Sequence, residues 1–207
     1  MSEKISNVVI RRLPRYYRYL SELASEDIQK VSSLKMSKDM GLNASQIRRD
    51  LNCFGGFGQQ GYGYSVDKLR KEIAHILGLD KHYSVIIVGA GSIGNALVGY
   101  ENFKRSGFEI NAIFDNDPKK IETKVSDKTV LPVSDLEKYA EAHKVDIAFI
   151  CTPKECAQRT ADYLVSLGVC AIWNFAPVNV LARKGVCVEN VHLSDSLYVL
   201  SYMYSNR

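Results

Sequence analysis

Three glycines, Gly89, Gly91 and Gly94 in the stretch "VGAGSIGNA", stand in the G-x-G-x-x-G spacing directly after the apolar, β-branched run "SVIIV". Between a strand and a helix, that spacing makes an anion cradle. The first glycine permits a tight turn, the second lets a pyrophosphate approach the backbone, and the third lets the helix pack on the strand, while the helix N-terminus offers unpaired amides. Ser92 and Ile93 lie inside this turn and open the helix. Asp115 follows Gly94 by 21 residues, at the end of the next strand-like run "FEINAIFD". A carboxylate there accepts hydrogen bonds from the hydroxyls of an adenosine ribose and repels a 2′-phosphate. The set reads as a dinucleotide site favouring NAD(H) over NADP(H), with Lys119 and Lys120 close enough in sequence to bear on the choice. Two later strand ends, "CTP" (Cys151, Thr152, Pro153) and "NFAP" (with Asn174), are expected to line the same crevice, because ligands of open parallel sheets sit beyond the carboxyl edges of the strands. Punctuation of strand ends by proline is the competing reading of both.

A second chemistry is written earlier in the chain. "SSLKMSKDMGLNASQIRRDLNCF" holds two short helical patterns split by Gly41-Leu42-Asn43, the layout of a helix-turn-helix. Ser33 and Asn43 are the expected N-caps, the latter with Gln46 three residues on. In the second helix Ile47, Leu51 and Phe54 share one face, and Ser45, Arg48, Arg49 and Asn52 collect on the other. Arginine bridges guanine edges bidentately, and serine or asparagine contacts bases or phosphates, so this face suits DNA reading; a solvated outer face has the same composition. "FGGFGQQGYGY" follows, with five glycines and four aromatic rings. A flexible linker favours Gly and Ser without such rings. The stretch is expected to form a β-hairpin wing whose glycines allow close approach to a sugar-phosphate backbone, with Phe57, Gly58 and Tyr62 as DNA contacts and the rings of Phe57, Tyr62 and Tyr64 either packing the hairpin or resting against the minor groove. Upstream, "IRRLPRYYRYLSELA" places Pro14 in a first helical turn and adds Arg11, Arg12, Arg15 and Arg18 as phosphate contacts or interdomain links.

These motifs need two kinds of scaffold. Residues 5–78 read as helices with one Gly-rich interruption, ending in "SVDKLRKEIAHILG", an amphipathic helix capped by Ser65 and closed by Gly78. From about residue 82 the pattern becomes β-branched runs at 84–89, 108–115, 145–151 and 169–175, alternating with helical stretches. One of these, "SDLEKYAEAH", is expected to carry a capping box of Ser134 and Glu137. The expected fold is α/β: a winged-helix domain over 1–80, a doubly wound parallel sheet over 81–190, and a closing helix over 191–207. Residues 1–78 hold 13 Lys/Arg against 8 Asp/Glu and the remainder 14 against 15, a bias toward a polyanion partner that solubility alone can also produce. No apolar run approaches the ~20 residues that span a bilayer, and "MSEKISNVV" lacks a secretory core, so no membrane role and a cytoplasmic location are expected. The five cysteines form no C-x-x-C pair and read as reduced, mostly buried small hydrophobes, with no metal site. His75, His82, His143 and His192 stand in no evident dehydrogenase motif, and no substrate domain remains after residue 180. An NAD-dependent oxidoreductase with a helical accessory domain is therefore the less favoured reading, and an NAD-dependent scaffold protein a minor third.

"RRLPRYYRYL", "ASQIRRDL", "FGGFGQQGYGY", "VGAGSIGNAL", "FDNDP", "NFAP" and the closing helix occur in an order that resembles the Rex family of redox-sensing transcriptional repressors over nearly the whole chain. The resemblance implies a homodimer with an N-terminal winged helix, a Rossmann NAD(H) domain and a C-terminal helix exchanged between subunits. Such a dimer binds palindromic operators when NADH is scarce; NADH, competing with NAD⁺, closes it and releases DNA. Carried over, Arg48 and Arg49 would read DNA, and Arg12 and Arg18 would contact DNA or link domains. Gly89, Gly91, Gly94 and Asp115 would hold the dinucleotide, and Tyr100, on the helix after the Gly-rich turn, would sense the nicotinamide. In "SDSLYVLSYMY", Leu197, Leu200 and Tyr204 share the face an exchanged helix needs. One departure concerns the switch: where the family commonly has an aspartate in V-D-L, this chain has "VHL" with His192, so the expected link between Arg18, Tyr100 and residue 192 is altered.

Overall fold

Pro14 in the first turn and apolar residues three or four positions apart make Leu13–Ser25 (α2) a helix, after the single turn Asn7–Ile10 (α1). The computed structural model describes residues 6–54, 58–59 and 63–207. Contacts divide the chain into two units, Met1–Lys81 and His82–Arg207.

In the first unit, Leu13, Tyr16, Leu20 and Leu23 of α2 pack with Met36, Ile47, Leu51, Leu69 and Ile73. Each such burial stabilises by roughly 1.5–3 kcal/mol before chain entropy is charged. These residues come from α3 (Ser33–Met40), α4 (Ala44–Asn52) and α5 (Val66–Ile76). Gly41, at φ +64°, closes α3 in a left-handed cap that leads directly into α4. Asn43 caps α4 as expected, its Oδ1 accepting from Ser45 N at 2.8 Å; among the described residues Gln46 makes no bond back to it. The cap of α3 is Ser32, whose Oγ accepts from Lys35 N, and not Ser33: the helix starts one residue earlier than its sequence suggests. Strands β1 (Lys30–Val31), β2 (Gly58–Gln59) and β3 (Gly63–Ser65) form an antiparallel sheet in the order β1-β3-β2, with Gly58 opposite Tyr64 and Gln59 opposite Gly63. Within the Gly-rich stretch the described residues Gly58–Gln59 and Gly63–Ser65 pair as the antiparallel strands expected of a wing, with Tyr64 buried in the core. Phe57 and Tyr62 lie outside the described residues.

The second unit is a seven-stranded sheet. Its strands are β4 (Tyr83–Val88), β5 (Phe108–Asp115), β6 (Lys124–Val125), β7 (Lys128–Pro132), β8 (Ile147–Ile150), β9 (Ala171–Asn174) and β10 (Cys187–Asn190). They run in the order β10-β9-β8-β4-β5-β7-β6, parallel except for the β6–β7 hairpin. Ile86, Val88, Phe114 and Ile150 face one core, closed by α8 (Leu136–Ala142) and α9 (Lys154–Ser166). Val85, Ile87, Ile113 and Phe149 face the other, which holds Leu97 of α6 (Ser92–Val98) and Phe103 of α7 (Glu101–Arg105). Burial on both faces is why β4 and β8 read as continuous apolar runs. Ser134 does not cap α8: it lies in a 3-10 turn, Val133–Asp135, that precedes the helix, and Asp135 occupies the cap position without a side-chain bond. The final helix, α10 (Leu193–Ser205), buries no residue. No helix among the described residues is long and apolar enough to cross a membrane.

Candidate ligand cleft and nucleic-acid interface

From β4 the chain moves outward through β5 and β7, then returns to the other side of β4 as β8, so the carboxyl ends of β4, β5 and β8 meet at a topological switch point, where open α/β sheets bind ligands. A cleft of roughly 800 Å³ lies there, lined among others by Gly89, Gly91, Ser92, Ile93, Asp115 and Cys151. Thr152 and Pro153 complete the expected edge.

The three glycines carry distinct loads. At Gly89 φ is +110°, and an added Cβ would stand 2.5 Å from the Cys151 carbonyl oxygen. A Cβ at Gly94 would collide with the Gly89 carbonyl, so helix α6 is seated on the turn by the missing atom. Around Gly91 nothing lies within 4 Å of such a Cβ, which leaves open space at the N-terminus of α6. Protein therefore fills the space beside the first and third glycines, and the second faces the cleft.

Asp115, almost fully buried, ties the turn to β5. Its Oδ2 accepts from Ala90 N at 2.7 Å and from Lys120 Nζ at 3.1 Å, and its Oδ1 accepts from Asp117 N at 2.8 Å. Burial works against the charge, but the amides of Asp117 and Ala90 and the Lys120 ammonium outweigh it and hold this carboxyl below its ordinary range. Across the cleft, Thr152 Oγ1 is buried without a hydrogen-bond partner, an arrangement that costs free energy until a ligand group satisfies it. Burial pushes the Cys151 thiol up to about 12, so it is a poor thiolate. The cysteines as a set depart from expectation: Cys53, Cys170 and Cys187 are exposed, and Cys151 and Cys156 are half-buried. Sequence reasoning did not find the α9 wall, where Cys156, Arg159, Thr160 and Tyr163 line the cleft. Their i, i+3, i+4, i+7 spacing was the signal available.

On the first unit, Ser45, Arg48, Arg49 and Asn52 are exposed along the outer face of α4, and Arg18 is exposed on α2. Arg48 Nη1 donates to Ser33 Oγ at 3.1 Å, which holds the guanidinium against the start of α3.

Residues 4–52 match the family described as "Putative DNA-binding protein N-terminus", and residues 80–178 match "CoA binding domain". The chain is 51% identical over 199 residues to the redox-sensing transcriptional repressor Rex of Thermoanaerobacter pseudethanolicus, covering 96% of this chain and 89% of that protein. It is 49% identical over 202 residues to the Rex of Clostridioides difficile, covering 98% and 96%. The chain belongs to the Rex family. The crystal structure of RSP in complex with beta-NAD+ and operator DNA matches it with a TM-score of 0.92 at 50% identity, covering 98% of this chain and 94% of that one. RSP, a Rex-family repressor, in complex with beta-NADH matches with a TM-score of 0.91 at 47% identity, covering 98% and 95%.

Four further positions expected from the Rex resemblance or from the strand ends have the following neighbours within this chain. Arg12 does not face outward: Nε and Nη2 donate to Asp50 at 2.7 and 2.8 Å, and Tyr16 Oη donates to the same carboxylate at 2.7 Å. Its fork is spent on a buried partner that the helical pattern of α4 did not reveal. Asn174, fully buried, donates to Val178 O and Asn190 Oδ1 and accepts from Ala176 N, so its amide ties β9 to β10 and does not reach the cleft. Tyr100 is not within a helix but caps α7 after the break that follows α6. It lines a separate cavity of roughly 380 Å³ with Phe103, Lys104 and Phe108, not the cleft at the strand ends. His192 occupies the N-cap position of α10 without a side-chain cap bond, and its Nε2 lies 2.8 Å from the Asn179 side-chain amide.

Proposed function

We propose that this protein represses transcription by binding palindromic operator DNA as a homodimer through its winged-helix unit, and that NADH in the cleft of the second unit releases it. It thereby reports the cytoplasmic NADH/NAD⁺ ratio. The observation that carries the reading is one cleft that brings together open space at Gly91, the N-terminus of α6 and Thr152, whose buried hydroxyl has no hydrogen-bond partner. When bound, NAD(H) supplies a nicotinamide whose two oxidation states differ by a hydride. The role of Gly91 is to leave room for the pyrophosphate, Ser92 and Ile93 offer backbone amides, and Asp115 accepts from the adenosine ribose. RSP, with half of its residues identical, was crystallised with both beta-NAD+ and operator DNA.

Helix α10 supports the dimer. Leu193, Leu197, Tyr198, Val199, Leu200 and Tyr202 are each 59–71% exposed, so most of the large side chains of this helix are apolar and uncovered. Such a helix is stable in water only when another surface covers it; the reading assigns that surface to a second copy. The dinucleotide then biases two dimer arrangements that space the α4 helices differently, and a preference of ~100-fold for one of them supplies ~2.7 kcal/mol of coupling.

The test is retention of fragmented genomic duplex by the pure protein at moderate salt. A specific fragment set should be held with NAD⁺ and freed by NADH. Equal retention in both arms removes the switch from the reading, and no specific retention removes operator binding itself. On a fragment so found, Arg48→Ala should cost about 1–3 kcal/mol and relax base preference at one position per half-site. Loss that is uniform over operator variants, with a flatter salt slope, reassigns Arg48 to the phosphate backbone.

A further inference from the structure

Asp115 is nearly saturated before any ligand arrives. A carboxylate has about four lone-pair sites, and three are taken by Ala90 N, Asp117 N and Lys120 Nζ. One is left, whereas an adenosine ribose offers two hydroxyls. Two of the three donors are backbone amides fixed by the Gly-rich turn and by the start of the loop after β5. The third is a side chain, 40% exposed, on the rim of the same cleft. Its ammonium carries three donors, so it can hold Asp115 and a ribose oxygen together. It also cancels much of the carboxylate's charge, and that charge is what repels a phosphate on the ribose 2′-oxygen. Arg159 adds a second cation to the lining, with no ion-pair partner among the described residues.

We infer that Lys120 is a second ribose-reading residue of the cleft: it bridges Asp115 to the adenosine ribose and sets how strongly 2′-phosphorylated dinucleotides are refused. The inference rests on the cleft being an NAD(H) site. It means that discrimination between NAD(H) and NADP(H) is a property of the Asp115–Lys120 pair and not of Asp115 alone. Removing the ammonium costs NADH one donor and returns one acceptor site, so its affinity changes little. For NADPH the same change uncovers a buried negative charge beside the phosphate.

The experiment is a fluorescence titration of NADH and NADPH into the full-length protein and into Lys120→Met, Lys120→Arg and Asp115→Asn. The ratio of the NADPH to the NADH dissociation constant should rise about tenfold in Lys120→Met. In Lys120→Arg, which keeps the charge, it should stay within about threefold, and in Asp115→Asn it should fall. An unchanged ratio in Lys120→Met, with NADH still bound, overturns the role of Lys120 and leaves the cofactor reading standing. Failure of the parent protein to bind NADH overturns that reading and this inference together.

Discussion

Arg12→Ala is expected to lower the stability of the first unit by about 3 kcal/mol, although the residue has the look of a DNA contact. Its guanidinium makes two charge-assisted bonds to Asp50, whose side chain is 5% exposed, and Tyr16 makes the third. Without the arginine a buried carboxylate keeps one neutral donor, and removal of one partner from such a pair costs more than the intact pair contributes. Burial tends to raise the Asp50 carboxyl, yet the bonds from Arg12 and Tyr16 outweigh it and hold it below the ordinary value. A lowered folded-state pKa gives stability that is present above the unfolded value, near 4, and lost as the pH falls through the folded one. The difference between parent and variant should therefore be constant from neutral pH to about 5 and shrink below about 4. Urea midpoints and hydrogen exchange over α2 and α4 check both statements, and Arg12→Lys should recover only part, since an ammonium cannot make the paired bonds. Weakened DNA binding with an unchanged urea midpoint would return Arg12 to the DNA surface.

The outward face of Arg48, Arg49, Ser45 and Asn52 is legible because a helix fixes it from neighbours within two turns, whereas the pairing of Arg12 depends on a distant part of the chain. The partner of Arg12 is 38 positions away, and nothing local marks Asp50 as buried except its place beside Leu51 on the inward face. The same limit separates the strands. Strand β5 falls on its expected bounds because its first half alternates exposed Glu109 and Asn111 with inward residues and its second half, from Ala112 to Asp115, is buried throughout. Strand β10, "CVEN" at the sheet edge, has too few inward residues to show a period, and β7 ends in a proline tolerated where the ladder is weak. In the cleft, the spacing of the glycines and Asp115 was legible because a strand–turn–helix makes it local. The saturation of Asp115 by Lys120 and Asp117 depends on the path of the turn after β5, which composition does not encode. Asn174 stands at a strand end like Thr152, but the return of β10 beside β9 claims its amide.

Gly91→Ala should separate sensing from folding. Its backbone, at φ −87°, is open to any residue, and a Cβ there meets nothing within 4 Å, so the fold accepts the methyl. The cost is confined to replacing glycine by alanine at a helix N-cap, about 1 kcal/mol or less. The methyl instead occupies the space through which a pyrophosphate reaches the backbone amides of α6. NADH affinity should fall on the order of 100-fold, or ~2.7 kcal/mol, while operator affinity without nucleotide stays at the parent value. The variant is then a repressor that remains on DNA at NADH concentrations that release the parent, because a ligand shifts an equilibrium only through its binding. Gly94→Ala is the contrast: its Cβ meets the Gly89 carbonyl, α6 must lift from β4, and stability and NADH binding should fail together. Calorimetric titration of NADH, thermal melting and operator retention distinguish the two. NADH bound by Gly91→Ala within about threefold of the parent would show that the pyrophosphate does not cross the second glycine, and the cradle would have to be sought along the Thr152 edge of the same cleft.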